Sequence, residues 1–202
     1  MSELLFYFDV VCPYAWLAST QIERIAVANR ARLTWKPMLL GGVFRALQVP
    51  AQATPATMPA AKARMNLLDM QRWAKHWGVA LTMPAEHPRR TVDAMRLCAA
   101  AAEEATAAVA HALFRAYWVE GRDVADRAVL AEIAVAHSIA PDAIASDEVK
   151  DRLRTVTDEA IADGVFGAPS FVVVRDRERQ LFWGQDRLHF VERALAGAPV
   201  LT

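Results

Sequence analysis

The chain has 202 residues, 54% hydrophobic and 23% charged, which excludes long disordered stretches and suits one large domain or a domain carrying an insertion. Its 23 Lys plus Arg balance 23 Asp plus Glu, so no net charge draws it toward nucleic acid or an anionic membrane. Its two cysteines, Cys12 and Cys98, are too few for a disulfide scaffold or a cysteine-rich zinc site and fit a reducing cytoplasm.

The N-terminal residues MSELLFYFDVVCP carry Glu3 and Asp9 in and around a short apolar run, with no basic start and no small-residue cleavage site, so no signal peptide is expected. Within it, Leu4 to Val11 reads as a buried strand. Pro13 follows, well suited to a helix's first position, and Trp16, Leu17, Ile22, Ile25 and Ala26 recur at helical spacing, which places Cys12 at or beside an N-cap. Arg32 to Leu40 reads as a second strand, parallel to the first across a crossover helix. Gly41-Gly42 punctuates, a short helical piece runs to about Leu47, and VPAQATPATMP is a proline-broken linker.

From Ala60 to His137 the pattern is helical: Leu67, Met70, Trp73, Ala74 and Trp77 form a stripe ending at Gly78, and further runs follow from Val92, over Val109 to Val119, and over Asp126 to His137. The alanine-rich stretch Leu97 to Leu113 is the nearest approach to a membrane span, but Glu103, Glu104 and His111 interrupt it, so it is expected as packed helix. A last helical segment, Glu148 to Ala162, ends at Asp163-Gly164; Ser170 to Val174 and Gln180 to Trp183 then form a hairpin across a charged turn, Arg175 to Arg179, and Asp186 opens a helix to Leu195. The order βαβ, helical insertion, ββα is α/β and thioredoxin-like, with residues 1–47 and 148–202 forming the thioredoxin-like domain and 48–147 an all-helical insertion domain.

Cys12 is the sharpest chemical feature, because a thiol at a helix N-terminus faces unpaired N–H groups and the positive end of the macrodipole, which favours its thiolate. The alternative is a small buried hydrophobe. Ala15 stands three residues on, so no resolving thiol adjoins Cys12; Cys98, in the alanine stretch, is expected in the core. Ala168-Pro169 precedes the SFVVV strand, where a cis bond would suit a proline at a strand's first residue. Asp186 is a good N-cap residue; the other reading has Gln185 and Asp186 hold the charged end of a peptide at that helix N-terminus. Tyr14 either lines a pocket or packs, and Lys36 either binds an anionic substrate or is solvated. The five histidines show no ligand spacing, and no metal site is expected.

Four segments in this order, FYFDVVCPYAWLAS (6–19), WKPMLLGGVF (35–44), AKARMNLLDMQRWAKHWGV (61–79) and GVFGAPSFVV with LFWGQDRLHFVERAL (164–173 and 181–195), resemble the 2-hydroxychromene-2-carboxylate isomerases, relatives of kappa-class glutathione transferases in the DsbA-like thioredoxin superfamily. The resemblance implies glutathione as cofactor, its sulfur against Cys12, backbone contacts from Ala168 before a cis Pro169, and γ-glutamyl contacts from Gln185 and Asp186. It further implies Lys36 near a small aromatic substrate and a homodimer; Tyr14, from its place at the opening of the first helix, is the other candidate substrate-binding residue. Where these isomerases usually carry serine, this chain has Cys12, which leaves open whether the residue activates glutathione, attacks directly or is glutathionylated.

The leading expectation is a glutathione-dependent isomerase of an aromatic conjugated 2-oxo acid, of the 2-hydroxychromene-2-carboxylate or trans-o-hydroxybenzylidenepyruvate type, in the breakdown of aromatic compounds. The rivals are a DsbA-like or monothiol thiol-disulfide oxidoreductase, a kappa-type glutathione transferase, and a noncatalytic binding module. Specificity is expected from side chains such as Met38, Phe44 and Met65.

Overall fold

In a computed structural model that describes residues 2–48 and 58–198, the strand and helix order follows the sequence pattern. β1 (Glu3–Phe8), α1 (Pro13–Ala28) and β2 (Arg32–Pro37) form the βαβ opening, α2 (Leu40–Ala46) follows, and β3 (Ser170–Arg175), β4 (Glu178–Trp183) and α8 (Leu188–Leu195) close the fold. The sheet order is β2-β1-β3-β4, with β1 parallel to β2 and antiparallel to β3. Between the halves lie α3 (Ala60–Trp77), α4 (Val92–Ala100), α5 (Glu103–Trp118), α6 (Arg127–Ala136) and α7 (Asp147–Ala162). Most of the expected linker, residues 49–57, lies outside the described residues.

Period-two alternation sorts the sheet into two faces. Leu4, Phe6, Phe8, Trp35, Phe171 and Val173 face α1, α8 and the helices of the insertion, whereas Leu5, Tyr7 and Val172 face α2 and the end of α7. The first cluster is continuous from the sheet through Phe114, Tyr117 and Trp118 of α5 to Leu130 of α6, so the sheet and the insertion share one core. Phe114 stands at this junction, its ring centroid 5.7 Å from Phe8 and 5.9 Å from Trp16.

Four local expectations change. β1 stops at Phe8, because Asp9 to Val11 turn the chain into α1, although Val10 is fully buried. β2 stops at Pro37 and α2 begins at Leu40. The alanine stretch is two helices, broken at Ala101 and Ala102, whose ψ angles of 150° and 155° are extended; Glu103 and Glu104 then occupy the first turn of α5, where the macrodipole favours them. The hairpin turn is only Asp176 and Arg177, both at positive φ (51° and 71°), which matches the twist of tightly connected strands.

Glycine's freedom matters at Gly78, the left-handed cap of α3 (φ 65°), beyond which Val79 N–H returns to Ala74 O at 2.8 Å. In the following loop, His87 Nδ1 lies 3.0 Å from the buried Tyr117 hydroxyl, Arg89 N–H donates to the same oxygen at 3.2 Å, and the His87 ring packs on Trp118. Burial pulls the His87 imidazole below its usual range.

Phe114→Ala is expected to cost about 3–5 kcal/mol, and because the core is shared, urea unfolding of this variant followed by circular dichroism and by tryptophan fluorescence should still give one coincident transition. Since folding disfavours the charged His87, the unfolded chain takes up a proton first as pH falls below about 6.5, and stability declines from there until the folded histidine titrates too. The urea midpoint should therefore drop less between pH 7.5 and 5.5 in His87→Gln than in the parent.

Candidate active site

The end of β1 builds the site. After Phe8 the chain turns so that Cys12 N–H donates to Asp9 O at 3.0 Å, and Cys12, at φ −89° and ψ 115°, becomes the N-cap of α1 with Pro13 next. Its carbonyl accepts from Ala15 N–H and Trp16 N–H, each at 3.1 Å. Its side chain caps nothing in α1. Instead the thiol donates to the carbonyl of Ala168, with Sγ 3.1 Å from that oxygen.

Ala168 and Pro169 are joined by a cis peptide bond. The loop they form is fixed from behind: Ser170 Oγ donates to Gly167 O at 2.8 Å, and Gly184 N–H donates to Pro169 O at 3.0 Å. Gly167 is required by close approach, because a Cβ there would lie 2.6 Å from the Trp183 indole nitrogen. Gly184, at φ 101°, turns the chain into a short 3-10 segment, Gln185–Arg187, before α8 begins at Leu188. Asp186 is therefore not the cap of the C-terminal helix. It makes no capping hydrogen bond and pairs with Arg187 at 2.8 Å, while Gln185 is buried.

Half-buried Tyr14, on the first turn of α1, directs its hydroxyl to Asp69 Oδ2 of α3 at 3.5 Å. Burial, then the charges at Asp69, Cys12 and Asp186, hold the phenol protonated well above its usual range. Five of the residues singled out in the sequence, Cys12, Tyr14, Ala168, Pro169 and the 185–186 pair's Asp186, thus come to the same end of the sheet.

Lys36 does not join them. On β2 it alternates with Trp35, so it points to the α7 side, opposite the face that carries Trp35, and its ammonium is engaged by Glu159 at 2.8 Å. Met38 is fully buried in the cluster under α2 and α7 and offers no surface for specificity, whereas Met65 is exposed on α3. Cys98 is in the core, as expected.

The charge state of Cys12 also differs from the expectation. Burial pushes the thiol up to about 12, and the Asp9 carboxyl pushes the same way; the N–H groups of Ala15 and Tyr14 favour the thiolate but do not outweigh desolvation. With only 9% of its surface exposed, the side chain faces the proline loop as a hydrogen-bond donor. It is both the buried small residue and the thiol opposite the loop.

Two groups of this site were not singled out in the sequence. Asp69 lies 55 residues from Tyr14, beyond any local pattern. Asp9 carries a signal in the sequence, a carboxylate inside an apolar run close to a cysteine. Among the described residues no cluster of three His, Cys, Asp or Glu could hold a metal ion, and no helix is long and apolar enough to cross a membrane.

Compared with known families, residues 3–196 match the model of the DSBA-like thioredoxin domain. The chain belongs to the DsbA-like thioredoxin-domain family. Among curated proteins it is 29% identical to 2-hydroxychromene-2-carboxylate isomerase from Sphingobium xenophagum, over 94% of this chain and 96% of that protein. It is 28% identical to glutathione S-transferase kappa 2 of Caenorhabditis elegans, over 95% and 90% respectively. The solved structure of a 2-hydroxychromene-2-carboxylate isomerase superposes with a TM-score of 0.82 at 24% identity, covering 96% of this chain and 95% of that one. The DsbA-like fold accounts for the placement of a helix N-terminus against a proline loop, and the relatives named as isomerases support an isomerase.

A protonated thiol makes Cys12 a slow nucleophile. Alkylation by iodoacetamide, mapped by peptide mass spectrometry to separate Cys12 from Cys98, should be negligible at pH 7 and reach half its maximal rate only above pH 10; a plateau below pH 8 would contradict the burial effect.

Proposed function

We propose that this protein is a glutathione-dependent isomerase of an aromatic conjugated 2-oxo acid, of the 2-hydroxychromene-2-carboxylate type, acting in the degradation of aromatic compounds. The observation that carries it is the Cys12 thiol at the head of α1, 3.1 Å from the Ala168 carbonyl before cis Pro169. The curated isomerases that match nearly end to end support the choice of reaction.

The residues present fit a peptide thiol. The Ala168 carbonyl is directed into the site, where it accepts the Cys12 S–H, so this backbone acceptor faces the position a peptide would take. Asp186, in the 3-10 turn beside Gln185 and paired with Arg187, supplies a carboxylate that an ammonium group shares with that arginine. On this reading Ala168 and Pro169 present the backbone edge for the cysteinyl unit, and Gln185 and Asp186 hold the γ-glutamyl end. When bound, glutathione supplies a thiolate that adds reversibly to the conjugated alkene, so that the former double bond rotates as a single bond.

Cys12 then does what the serine of its relatives would do. Its S–H turns from Ala168 O to a neighbouring anionic sulfur, stabilising the charge without ionising, and the first-turn N–H groups of α1 add their dipoles. Tyr14, kept neutral by its surroundings, supplies a further O–H donor above the sulfur site for the substrate's carboxylate or oxo group. Lys36 is left out of the site because it lies on the α7 side of the sheet, where it pairs with Glu159. Both cysteines are free thiols, which accords with a reducing compartment, and we place the enzyme in the cytoplasm.

The test is to add purified protein to trans-o-hydroxybenzylidenepyruvate with and without glutathione and follow ring closure spectroscopically. Glutathione-dependent conversion is expected, and its absence removes the proposal. Cys12→Ser, which keeps an O–H donor, should retain activity within about tenfold, while Cys12→Ala should lose about 10²-fold. A stable glutathione adduct on Cys12, with turnover abolished in Cys12→Ser, would instead establish thiol-disulfide exchange.

A further inference from the structure

Helices α2, α4 and α7 line a cavity of about 340 Å³ that shares no residue with the Cys12 site. Small-molecule pockets run from roughly 300 to 1,000 Å³, so this one suits a ligand built on a single ring. One face of α7 forms its wall, because Lys150, Leu153, Arg154, Thr157, Asp158 and Ile161 recur at three- and four-residue spacing. Two contacts fix the base. Gly42 lets α2 close on α7, since a Cβ there would lie 3.2 Å from Thr157 Cγ2, and Leu39 N–H donates to Thr157 Oγ1 at 3.1 Å. That hydroxyl in turn donates to Leu153 O at 2.8 Å, which satisfies it within the protein. What faces the cavity beside it is apolar: Leu39, Ala46, Leu153 and Ile161.

The charge around this floor is one-sided. Arg45 of α2, Arg96 of α4, and Lys150 and Arg154 of α7 line it against one carboxylate among the described residues, Asp158, in a chain whose charges balance at 23 and 23. Three of the cations pair with an acid three residues away on their own helix: Arg96 with Asp93, Lys150 with Asp147 and Arg154 with Asp151, each at 2.9 Å. Those acids stand outside the lining, and surface pairs of this kind hold their partners weakly. A guanidinium presents five donors in a fixed fork, so each arginine keeps N–H groups for a second anion. Asp158 is about 12 Å from Lys150 along the axis of α7 at 1.5 Å per residue, so the anion-binding end of that helix face lies toward Lys150.

We propose that this cavity is a second ligand site, for a small organic dianion whose one-ring apolar body lies on the floor between Leu39 and Leu153 and whose charges meet the arginines and Lys150. A phosphate monoester and an aromatic dicarboxylate both offer that chemistry, because guanidinium groups pair bidentately with either anion. A neutral ring leaves the cations unengaged, and an inorganic anion leaves the apolar floor wet. The site goes beyond the isomerase reading and does not depend on it.

The test is to titrate the isotope-labelled protein with phenyl phosphate and, separately, with phthalate, beside inorganic phosphate and phenol as charge-only and ring-only controls. At least one aromatic dianion should shift the amide resonances of Arg45, Leu153 and Thr157 saturably and bind about tenfold or more tighter than either control; the tighter of the two identifies the anion type. Arg45→Gln with Arg154→Gln, both at exposed positions, should weaken that binding by about tenfold or more, as the loss of charge-assisted hydrogen bonds requires, with circular dichroism confirming the fold. Should that double variant not fold, Ala46→Trp, which fills the cavity from an exposed position, should give the same loss. Absence of saturable shifts with both aromatic dianions overturns the proposal. So does undiminished binding in a folded variant, or binding that moves Cys12 and Tyr14 instead and is displaced by glutathione.

Discussion

The turn between β1 and α1 is where the molecule is held together. Within it Asp9 receives Val11 N–H and Cys12 N–H, and three other parts of the chain reach it: Trp118 Nε1–H of α5 donates to Val10 O at 2.8 Å, Val10 N–H approaches Met95 Sδ of α4 at 3.5 Å, and Leu40 N–H of α2 donates to the Asp9 carboxylate. A buried carbonyl left without its donor costs about 1–3 kcal/mol, so the insertion and the sheet cannot separate without exposing the turn that carries Cys12. The continuous apolar cluster from Phe8 through Phe114 to Trp118 has the same geometry written in hydrophobic contacts.

That burial decides the thiol's chemistry. At a solvated helix N-terminus, first-turn N–H groups and the macrodipole favour a thiolate. At Cys12 the same N–H groups are present, yet desolvation exceeds them because the residue is roofed by the 167–169 loop and lies beside a second buried acid. Helix dipoles fall off within a turn and contribute about 0.3–1 kcal/mol when exposed, whereas moving an ionised group out of water costs several kcal/mol. The position that would make a dithiol oxidant's attacking sulfur reactive here makes a neutral donor.

Much of the fold was legible because punctuation carries local physics. Pro13 sets the start of α1, Gly78 ends α3, Gly164 follows α7, and the β-branched run after Pro169 is β3. The end of β1 was not legible, since Val10 and Val11 are β-branched and apolar like a strand; they are so because the turn packs inside, and apolarity reports burial before it reports extension. The break at Ala101 and Ala102 was hidden by alanine's own helix propensity and is set by packing of α4 and α5. For the site, the end-to-end pairing of Cys12 with Ala168 came from family resemblance, whereas Asp69 and the thiol's burial depend on contacts across many residues. Lys36 is different: its alternation with Trp35 along β2 already contained the face on which it lies.

The distribution of these residues separates chemistry from selectivity. Cys12, Ala168 and the 184–186 turn sit on the sheet ends and on the loops they brace, so their relative positions follow from strand pairing: Tyr7 pairs with Ser170 and Ser170 with Trp183. Tyr14 is where that frame meets α3, through Asp69. Helix α3 rests chiefly on α1 and keeps Met65, Leu67 and Leu68 exposed. Changes along α3 can therefore alter what covers Tyr14 and Cys12 without moving the strand ends that position them. Relatives named for different reactions, isomerases and kappa transferases, match this chain nearly end to end at 28–29% identity, which accords with a fold that hosts different chemistries through changes in the residues of its site.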